Sequence, residues 1–399
     1  MDTATPNILD HGTAYGKKTG SYDRYLTEVG PGTPCGEFMR RYWQPVALSS
    51  DVTDRPVEIR ILCEDLILFR DKKGRPGLLY PRCCHRGTSL YYGKCEDEGL
   101  RCCYHGWVFA VDGTCVEQPC EPPESTHKTK VRQPWYPVQE QYGLIWAYMG
   151  PPDKKPLLQK YDIFEDLEDG EYLEANDIGR STGGLGKRFI PPCNWLQHWE
   201  NVVDPAHVQI LHVKFTGFQF TDNVPVKNGW TFHYKDDGVQ QINIGEMADG
   251  RGIERVFQCR FPNEKRTANP MMLPGRMDNI GFAVPVDDTH YLVLAVVRHS
   301  KAGKVYAQLN MGGKSWPELT PAERRDLPSD YEAQTGQGPI VLHSEEHLAT
   351  SDQGIVMLRR ALRKQIEITM NGGDPAGVIY DPAQQIVKVE GGNFFSDPV

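Results

Sequence analysis

The sequence predicts an α+β protein in which a small all-β domain precedes a larger domain of antiparallel sheet partly covered by helices. Short strands and tight turns fill residues 45–150, and the proline- and charge-rich segment PPDKKP (151–156) is typical of a connector. With 399 residues the chain is long for one core, which favours two domains. We therefore predict an N-terminal extension with a helix over 1–44, the all-β domain over 45–150, and the second domain over 151–399.

The all-β prediction comes from short alternating runs between turn signals. VEIRIL (57–62) and LILFR (66–70) indicate two strands, DKKGRPG (71–77) a turn, and LLYPRCC (78–84) the next strand. VFAVDGTCVEQ (108–118) has an Asp-Gly turn between two β-rich runs, which predicts a hairpin.

The second domain mixes strand and helix patterns. NIGFAVPVDDTHYLVLAVVR (279–298) predicts a hairpin around its Asp-Asp pair. The stretch 351–368 predicts an amphipathic helix with Ser351 or Asp352 as its N-cap. The Gly-rich GGLGKR (183–188) lacks the spacing of a phosphate-binding loop, so we interpret it as a turn or mobile loop.

Composition excludes several classes of function. The net charge of -9 and the lack of a sustained basic stripe argue against nucleic acid as a partner. No run of about 18 apolar residues predicts a membrane span, and the polar N-terminus does not resemble a secretory signal. We expect a cytoplasmic protein in which some of the 11 cysteines are metal ligands rather than disulfides.

Two clusters of ligand-type residues lie in the all-β domain. They are CCH (83–85) and CCYH (102–105), with 16 residues between His85 and Cys102. Each cluster offers a thiolate and an imidazole on an expected loop, so two facing loops give a Cys₂His₂ set. That set suits a structural zinc ion or a two-iron cluster held by two thiolates and two imidazoles. Cys95, between the clusters, we interpret as an ordinary loop or partly buried thiol.

A third cluster opens the second domain, in CNWLQHWENVVDPAHVQILH (193–212). His207 and His212 are five residues apart, which places them about 140° apart on an ideal α-helix. Asp204 precedes a proline, a pattern typical of an N-cap, so we predict a helix break there that would let both imidazoles reach one metal. An amphipathic helix with incidental histidines is the alternative that this segment alone leaves open.

Both patterns resemble one family. C-x-H, the 16-residue gap and C-x-x-H-G-W are similar to the Rieske domain of the Rieske non-haem iron oxygenases, and N-x-x-D-x-x-H-x-x-x-x-H is similar to their mononuclear iron motif. The resemblance implies a [2Fe–2S] Rieske cluster in which Cys83 and Cys102 bind one iron and His85 and His105 the other. Cys84 stands where the family commonly has proline.

The resemblance also implies a mononuclear Fe(II) held by His207, His212 and a distant carboxylate. The segment 327–352 resembles the matching region of the phthalate-dioxygenase-like branch and makes Asp330 that ligand. Asp204 is implied to bridge an iron-ligand histidine to a Rieske histidine of a neighbouring subunit, in addition to its N-cap role. Three other carboxylates of the segment compete for the ligand role: Glu332, Glu345 and Glu346. We interpret Glu200 and Asn201 as residues of the helix surface or of the shell behind the ligands, and His343 and His347 as structural.

The branch implies a helix-grip (START-like) catalytic domain and a homotrimer of α subunits, in which one chain's cluster serves the next chain's iron. No flavin, nicotinamide or plant-type ferredoxin motif is present, so electrons are expected from a separate reductase. The resemblance to the phthalate-type systems implies that this reductase is NAD(P)H-dependent and carries flavin and iron–sulfur groups. The implied reaction uses O₂ to mono- or dioxygenate, or oxidatively O- or N-dealkylate, a small aromatic compound.

The substrate pocket is harder to predict. No arginine lies between His212 and Arg251, where the only cations are Lys214, Lys227 and Lys235. The aromatic segment FTGFQF (215–220) therefore favours an apolar aromatic substrate, although its Phe215, Phe218 and Phe220 would also suit sheet packing. A Rieske electron carrier or ligand-binding protein without oxygenase activity, and a zinc-stapled interaction protein, remain as alternatives.

Overall fold

The computed structural model describes residues 17–178, 190–216, 225, 227–270, 272–300, 314 and 318–398. Every structural statement below refers to those residues. The Gly-rich segment 183–188 lies outside them, as do Phe218 and Phe220.

Two short helices near the N-terminus pack against the long C-terminal helix. They are α1 (Arg24–Thr27) and α2 (Pro34–Met39), and the long helix is α8 (Gln353–Met370). Asp23 caps α1 by accepting from Tyr25 N at 3.1 Å, and the same carboxylate pairs with Arg363 of α8. The extension is thereby tied to the end of the chain.

Three small antiparallel sheets follow, as the all-β prediction requires. The first has the order β1 (Trp43–Leu48), β11 (Leu144–Tyr148), β10 (Val138–Gln141). The second has the order β2 (Val57–Ile61), β3 (Glu64–Arg70), β4 (Pro76–Leu79), β9 (Trp135–Tyr136). The third has the order β5 (Lys94–Glu96), β6 (Gly99–Arg101), β7 (Val108–Phe109), β8 (Cys115–Glu117).

The hairpin predicted over 108–118 is confirmed by the pairing of β7 with β8. The strand predicted over 78–84 was placed too late, because β4 already ends at Leu79. Pro81 has no N–H to donate to a ladder, so the chain leaves the sheet there. Cys83 consequently lies on a loop.

The second domain contains a nine-stranded, largely antiparallel sheet. Its main path is β13 (Tyr172–Asp177), β20 (His290–His299), β19 (Asn279–Asp287), β17 (Glu264–Arg266), β16 (Gly252–Arg260), β15 (Gly238–Glu246), β14 (Lys227–Lys235). The eighth and ninth strands are β18 (Gly275–Arg276) and β22 (Gly392–Ser396), and β22 pairs with both β16 and β18. A separate two-stranded parallel sheet is formed by β12 (Lys160–Tyr161) and β21 (Ile386–Val387). The β19–β20 pair confirms the predicted hairpin at 279–298.

Helices accompany this sheet, which gives the predicted α+β architecture. They are α3 (Asp162–Glu165), α4 (Trp195–Glu200), α5 (Pro205–His207), a π-helix (Val208–Thr216), α6 (Pro321–Asp326), α7 (Asp330–Gly336) and α8. Single 3₁₀ turns occur at Ser49–Asp51, Leu90–Tyr92, His127–Lys130, Pro152–Lys154, Asn201–Val203, His343–Glu345, Thr350–Asp352 and Pro382–Gln384. Asp352 is the N-cap of α8, and the helix runs two residues past the predicted end, to Met370.

Buried side chains form two clusters. The smaller lies under the two ligand-bearing loops, and the larger joins the first sheet to the nine-stranded sheet. Trp146 of β11, for example, meets Phe282 of β19 edge to face, with ring centroids 5.1 Å apart. The first sheet therefore packs across the predicted boundary at 150/151, and the boundary itself stays a prediction. None of the described helices is both long and apolar enough to cross a membrane.

Candidate metal centres

The two loops that carry the first ligand set fold into the same turn. In each, the cysteine N–H donates to the carbonyl five residues on, at 2.9 Å for Cys83 and 2.8 Å for Cys102. The N–H of Gly87 or Gly106, four residues after its cysteine, donates back to that cysteine's carbonyl. Both glycines have positive φ, of 78° and 74°, which a side chain would strain. The matching turns present the two loops to each other as a pair.

The buried thiols of the two loops are those of Cys83 and Cys102, each 3% exposed. They hydrogen-bond to each other, and this contact lowers the pKa of Cys102 to about 6 while raising that of Cys83. Their neighbours Cys84 and Cys103 are exposed. Cys95 is buried within β5 and belongs to neither loop. The structure thus brings together the two cysteines that the family spacing selects.

The imidazoles of His85 and His105 meet beside these thiols, with ring centroids 4.5 Å apart. Both side chains remain partly exposed, whereas Trp107 is buried and stacks on His85 at 4.3 Å. Burial, and then the neighbouring imidazole, lowers the pKa of His85, which favours the neutral form that binds metal. Two buried thiols and two partly exposed imidazoles are the donor set of a Rieske [2Fe–2S] cluster, and the residues present fit it.

Residues outside the loops hold them in place. The fully buried Gln133 donates from Nε2 to the carbonyls of Tyr80 and Arg82 at 2.9 Å, and its Oε1 accepts from Cys84 N at 2.7 Å. Arg101 donates to the Gly106 carbonyl at 2.6 Å and also pairs with Glu96 and Glu117. These contacts fix the loop backbone without using the ligand side chains.

The second ligand set depends on a change of helix type. Helix α4 ends at Glu200, a 3₁₀ turn follows, and Asp204 adopts a non-helical conformation before Pro205. The helix break predicted at Asp204 is therefore confirmed. Beyond His207 the chain continues as the π-helix, in which residues five apart are stacked one turn above the other. His207 and His212 consequently face the same side, with ring centroids 5.2 Å apart.

Asp330, the first residue of α7, completes the set. Its Oδ1 lies 3.6 Å from His207 Nε2 and 3.4 Å from His212 Nε2, and donor atoms of the three residues all lie within 4.8 Å of one another. Burial alone raises the pKa of Asp330, but the hydrogen bond and charge of His212, followed by the charge of His207, lower it below its usual range. Two imidazoles and one carboxylate on one side are the donors of a 2-His-1-carboxylate iron site. The three residues therefore fit a mononuclear iron.

Two further side chains orient these donors. Asp204 caps α5 by accepting from His207 N at 3.4 Å, and its backbone carbonyl lies against His207 Nδ1. A proton on Nδ1 satisfies that carbonyl and leaves Nε2 free for a metal. Asn201 Nδ2 donates to Asp330 Oδ1 at 3.2 Å. Asn201 therefore belongs to the shell behind the ligands.

The other carboxylates of this region are engaged elsewhere. Glu332 closes the capping box of Ser329, Glu345 pairs with Lys17, and Glu346 pairs with Arg359. Their contacts leave Asp330 as the carboxylate that joins the two histidines. His343 Nδ1 accepts from Asp23 N at 3.1 Å, a structural contact.

For Glu200 the structure excludes one of the two predicted positions. It does not lie on the helix surface, because its side chain is 7% exposed and bidentately paired with Arg359 of α8.

A polar cluster beside the iron site was missed in the sequence. Lys265 Nζ contacts His198 Nε2, and His198 Nδ1 lies 3.0 Å from Gln334 Oε1. Tyr291 stacks on His198, with ring centroids 4.8 Å apart, and donates to the same oxygen at 3.0 Å. His198 stands in the same segment as the predicted ligands, but nothing in the local pattern around Lys265 connects the two.

Known proteins match most of the chain. Residues 42–137 match the model of the Rieske [2Fe-2S] domain. The chain is 52% identical over 387 residues to the phenoxybenzoate dioxygenase subunit alpha of Ectopseudomonas oleovorans, covering 96% of this chain and 94% of that protein. It is 38% identical over 428 residues to the 3-chlorobenzoate-3,4-dioxygenase oxygenase subunit of Comamonas testosteroni, covering 93% and 94%.

Solved structures share the fold. The carbazole-bound oxygenase in complex with the ferredoxin of carbazole 1,9a-dioxygenase matches with a TM-score of 0.57 at 20% identity, covering 85% of this chain and 95% of that one.

Proposed function

This chain belongs to the Rieske non-haem iron oxygenases, and we propose that it is a terminal oxygenase that inserts oxygen into a small aromatic carboxylic acid. A Rieske [2Fe–2S] cluster and a mononuclear iron are its cofactors, and its electrons come from a separate electron-transfer protein. One observation carries the proposal: His207, His212 and Asp330 converge at one point of the second domain. An electron carrier or ligand-binding protein would need no such set.

We assign the cluster to Cys83, His85, Cys102 and His105. The burial of the two thiols and the matching backbone turns support this assignment over one that uses Cys84. The partly exposed imidazoles offer a route for electrons from outside the domain.

We assign the mononuclear iron to His207, His212 and Asp330. When bound there, iron with open coordination positions supplies the activation of O₂. The chain's own residues hold the donors for it, because Asp204 fixes the tautomer of His207 and Asn201 orients the carboxylate. Hydroxylation of a carbon that bears O-alkyl or N-alkyl would lead to dealkylation.

For the assembly we propose a homotrimer in which Asp204 connects His207 to a Rieske histidine of the neighbouring subunit. The Asp204 side chain is 27% exposed, so its carboxylate remains accessible from outside the chain. The electron donor we propose is a reductase with flavin and iron–sulfur groups or, as in the carbazole system, a ferredoxin. We also propose the division of the chain into an extension (1–44), a Rieske domain (45–150) and a catalytic domain (151–399). We propose a cytoplasmic location as well, which the eleven free thiols support.

The proposed substrate class rests on the names of two relatives and on the positive charge of Lys265. Phenoxybenzoate and 3-chlorobenzoate, which the two relatives' names give as their substrates, are both aromatic carboxylates. The expectation of an apolar substrate rested on the segment 212–251 and overlooked the cation at Lys265. Phe215, the described phenylalanine of the aromatic segment, is 63% exposed in the single chain.

The test combines metal analysis with turnover. Protein purified without air should contain about three irons and two acid-labile sulfides per chain, with a Rieske-type EPR signal after dithionite reduction. With a reductase, NADH and O₂ it should convert phenoxybenzoate to an oxygenated product. Two irons, two sulfides and no product would refute the oxygenase and favour the electron carrier.

A further inference from the structure

The side of the nine-stranded sheet that faces α4 carries a half-buried lysine. Lys265 of β17 pairs in register with Cys259 of β16 and Gly281 of β19. The Cys259 thiol donates to the Trp199 carbonyl of α4 at 3.4 Å, so these positions face the helix. Gly281 has no side chain, and a Cβ placed there would lie 3.5 Å from Lys265 Cε. The lysine stem therefore passes beside Gly281 at ordinary contact distance.

A hydrogen-bond network holds the end of this lysine. Tyr291 donates its hydroxyl proton to Gln334 Oε1, and the same oxygen accepts the Nδ1 proton of His198. His198 Nε2 is then an acceptor, and the Lys265 ammonium is its donor. Burial, and then the charge of Lys265, lowers the pKa of His198 to about 3, so the imidazole stays neutral.

Within the described part of the chain Lys265 makes no ion pair, and its contact with His198 leaves its other N–H donors for a ligand. Burial lowers its pKa to about 8, and the nearby charge of Asp330 opposes that shift. Asp330 is one of the proposed iron ligands, so its negative charge is used to bind the metal rather than to pair with Lys265.

The network also places the lysine near the iron site, close enough for the charge of Asp330 to act on it. Asp330 and Gln334 are four residues apart on α7, so they lie on the same face one turn apart. The residue that anchors His198, and through it Lys265, is thus one helical turn from the iron carboxylate.

From this geometry we infer that Lys265 binds the carboxylate of the substrate and selects aromatic acids over neutral aromatics, with His198 as its positioning residue. The inference rests on the proposed function. The Lys265 ammonium has already lost part of its hydration in the folded chain, so a charge-assisted hydrogen bond to an incoming carboxylate offsets a desolvation cost that the protein has met beforehand.

A second cation on the same face is the natural comparison. Arg255 of β16 shares the face of Cys259, since the two are four residues apart in one strand. Its Nε already donates to Asn393 Oδ1 at 3.0 Å, and its guanidinium lies 4.9 Å from the Phe257 ring centroid. These contacts explain its position without a ligand, which is why Lys265 is the better candidate.

The experiment measures binding of phenoxybenzoate and of its neutral primary amide to the oxidised holoenzyme by calorimetry, without turnover. The wild type should prefer the acid. K265M should lose roughly tenfold to a hundredfold in affinity for the acid and little for the amide. K265R should recover part of the preference, because it restores the charge, whereas R255Q should leave the acid-to-amide ratio near that of the wild type.

The ratio separates recognition from folding, since a merely damaged protein would bind both ligands more weakly. An unchanged ratio in K265M, or a collapse in R255Q instead, would overturn the role of Lys265 while wild-type oxidation of the acid upheld the proposed function. A wild type that neither binds nor oxidises the acid would overturn both.

Discussion

Replacing Arg359 by methionine should lower the free energy of unfolding, because Arg359 is the partner of the buried carboxylate of Glu200. Arg359 Nε and Nη2 bind Glu200 at 2.5 and 2.7 Å, and Nη1 and Nη2 bind Glu346 at 2.5 and 2.9 Å. The Glu200 side chain is 7% exposed, and that of Glu346 is 20% exposed. Methionine fills a similar volume but leaves the buried carboxylate of Glu200 without a counter-charge.

The magnitude follows from that burial. Removing one partner of a buried pair costs about 3–5 kcal/mol, so R359M should lose about that much free energy of unfolding. The matched control E346Q removes the more exposed partner and leaves Glu200 paired, so its loss should be about 1 kcal/mol. Glu200 directly precedes Asn201, which donates to Asp330, so R359M should also lower the iron content.

The assay is urea unfolding at fixed chain concentration, followed by circular dichroism, with iron measured on the same samples. The pH dependence adds a check. Burial raises the pKa of Glu200 and Arg359 opposes that shift, so R359M should raise this pKa further. Protonation removes the unpaired charge, so the penalty should shrink as the pH falls. Equal losses for R359M and E346Q, or a penalty that grows at low pH, would refute the reasoning.

Three further predictions concern the metal ligands and Lys265. C83S should lose acid-labile sulfide and the Rieske EPR signal, whereas C84S should keep both, as iron and sulfide analysis would show; loss in both variants would contradict the assignment. D330A should lower iron from about three to about two per chain with sulfide unchanged, and an unchanged iron content would exclude Asp330 as a ligand. Calorimetry across pH should show phenoxybenzoate binding weaken as the pH rises past about 8, because the burial-lowered pKa of Lys265 lies there and its cation is lost above it; K265M should show no such change.

Local patterns predicted much of the site. The two loop clusters, the hairpins and the break at Asp204 depend on residues close together in the chain, where turn chemistry and periodicity act directly. The ligand triad came from the resemblance, since no local pattern relates Asp330 to His212.

Features that depend on tertiary contacts could not be predicted. An ideal α-helix would separate His207 from His212, and no pattern in the sequence predicts the π-helix that aligns them. Glu200 would ordinarily be exposed, and it is buried by an arginine 159 positions away. The role of Lys265 depends on its contact with His198, which is 67 positions away in the sequence and is brought to it by sheet packing.

The π-helix has a consequence for insertions and deletions. A turn closed by i→i+5 contacts holds one more residue than an α-helical turn, so it can arise from an α-helix by a one-residue insertion. Removing one residue between His207 and His212 would let this segment return to α geometry with both imidazoles still one turn apart. Adding one residue between the two histidines cannot be accommodated in the same way, because no regular helix aligns residues six apart. A one-residue deletion between these two histidines should therefore disturb the ligand pair less than a one-residue insertion.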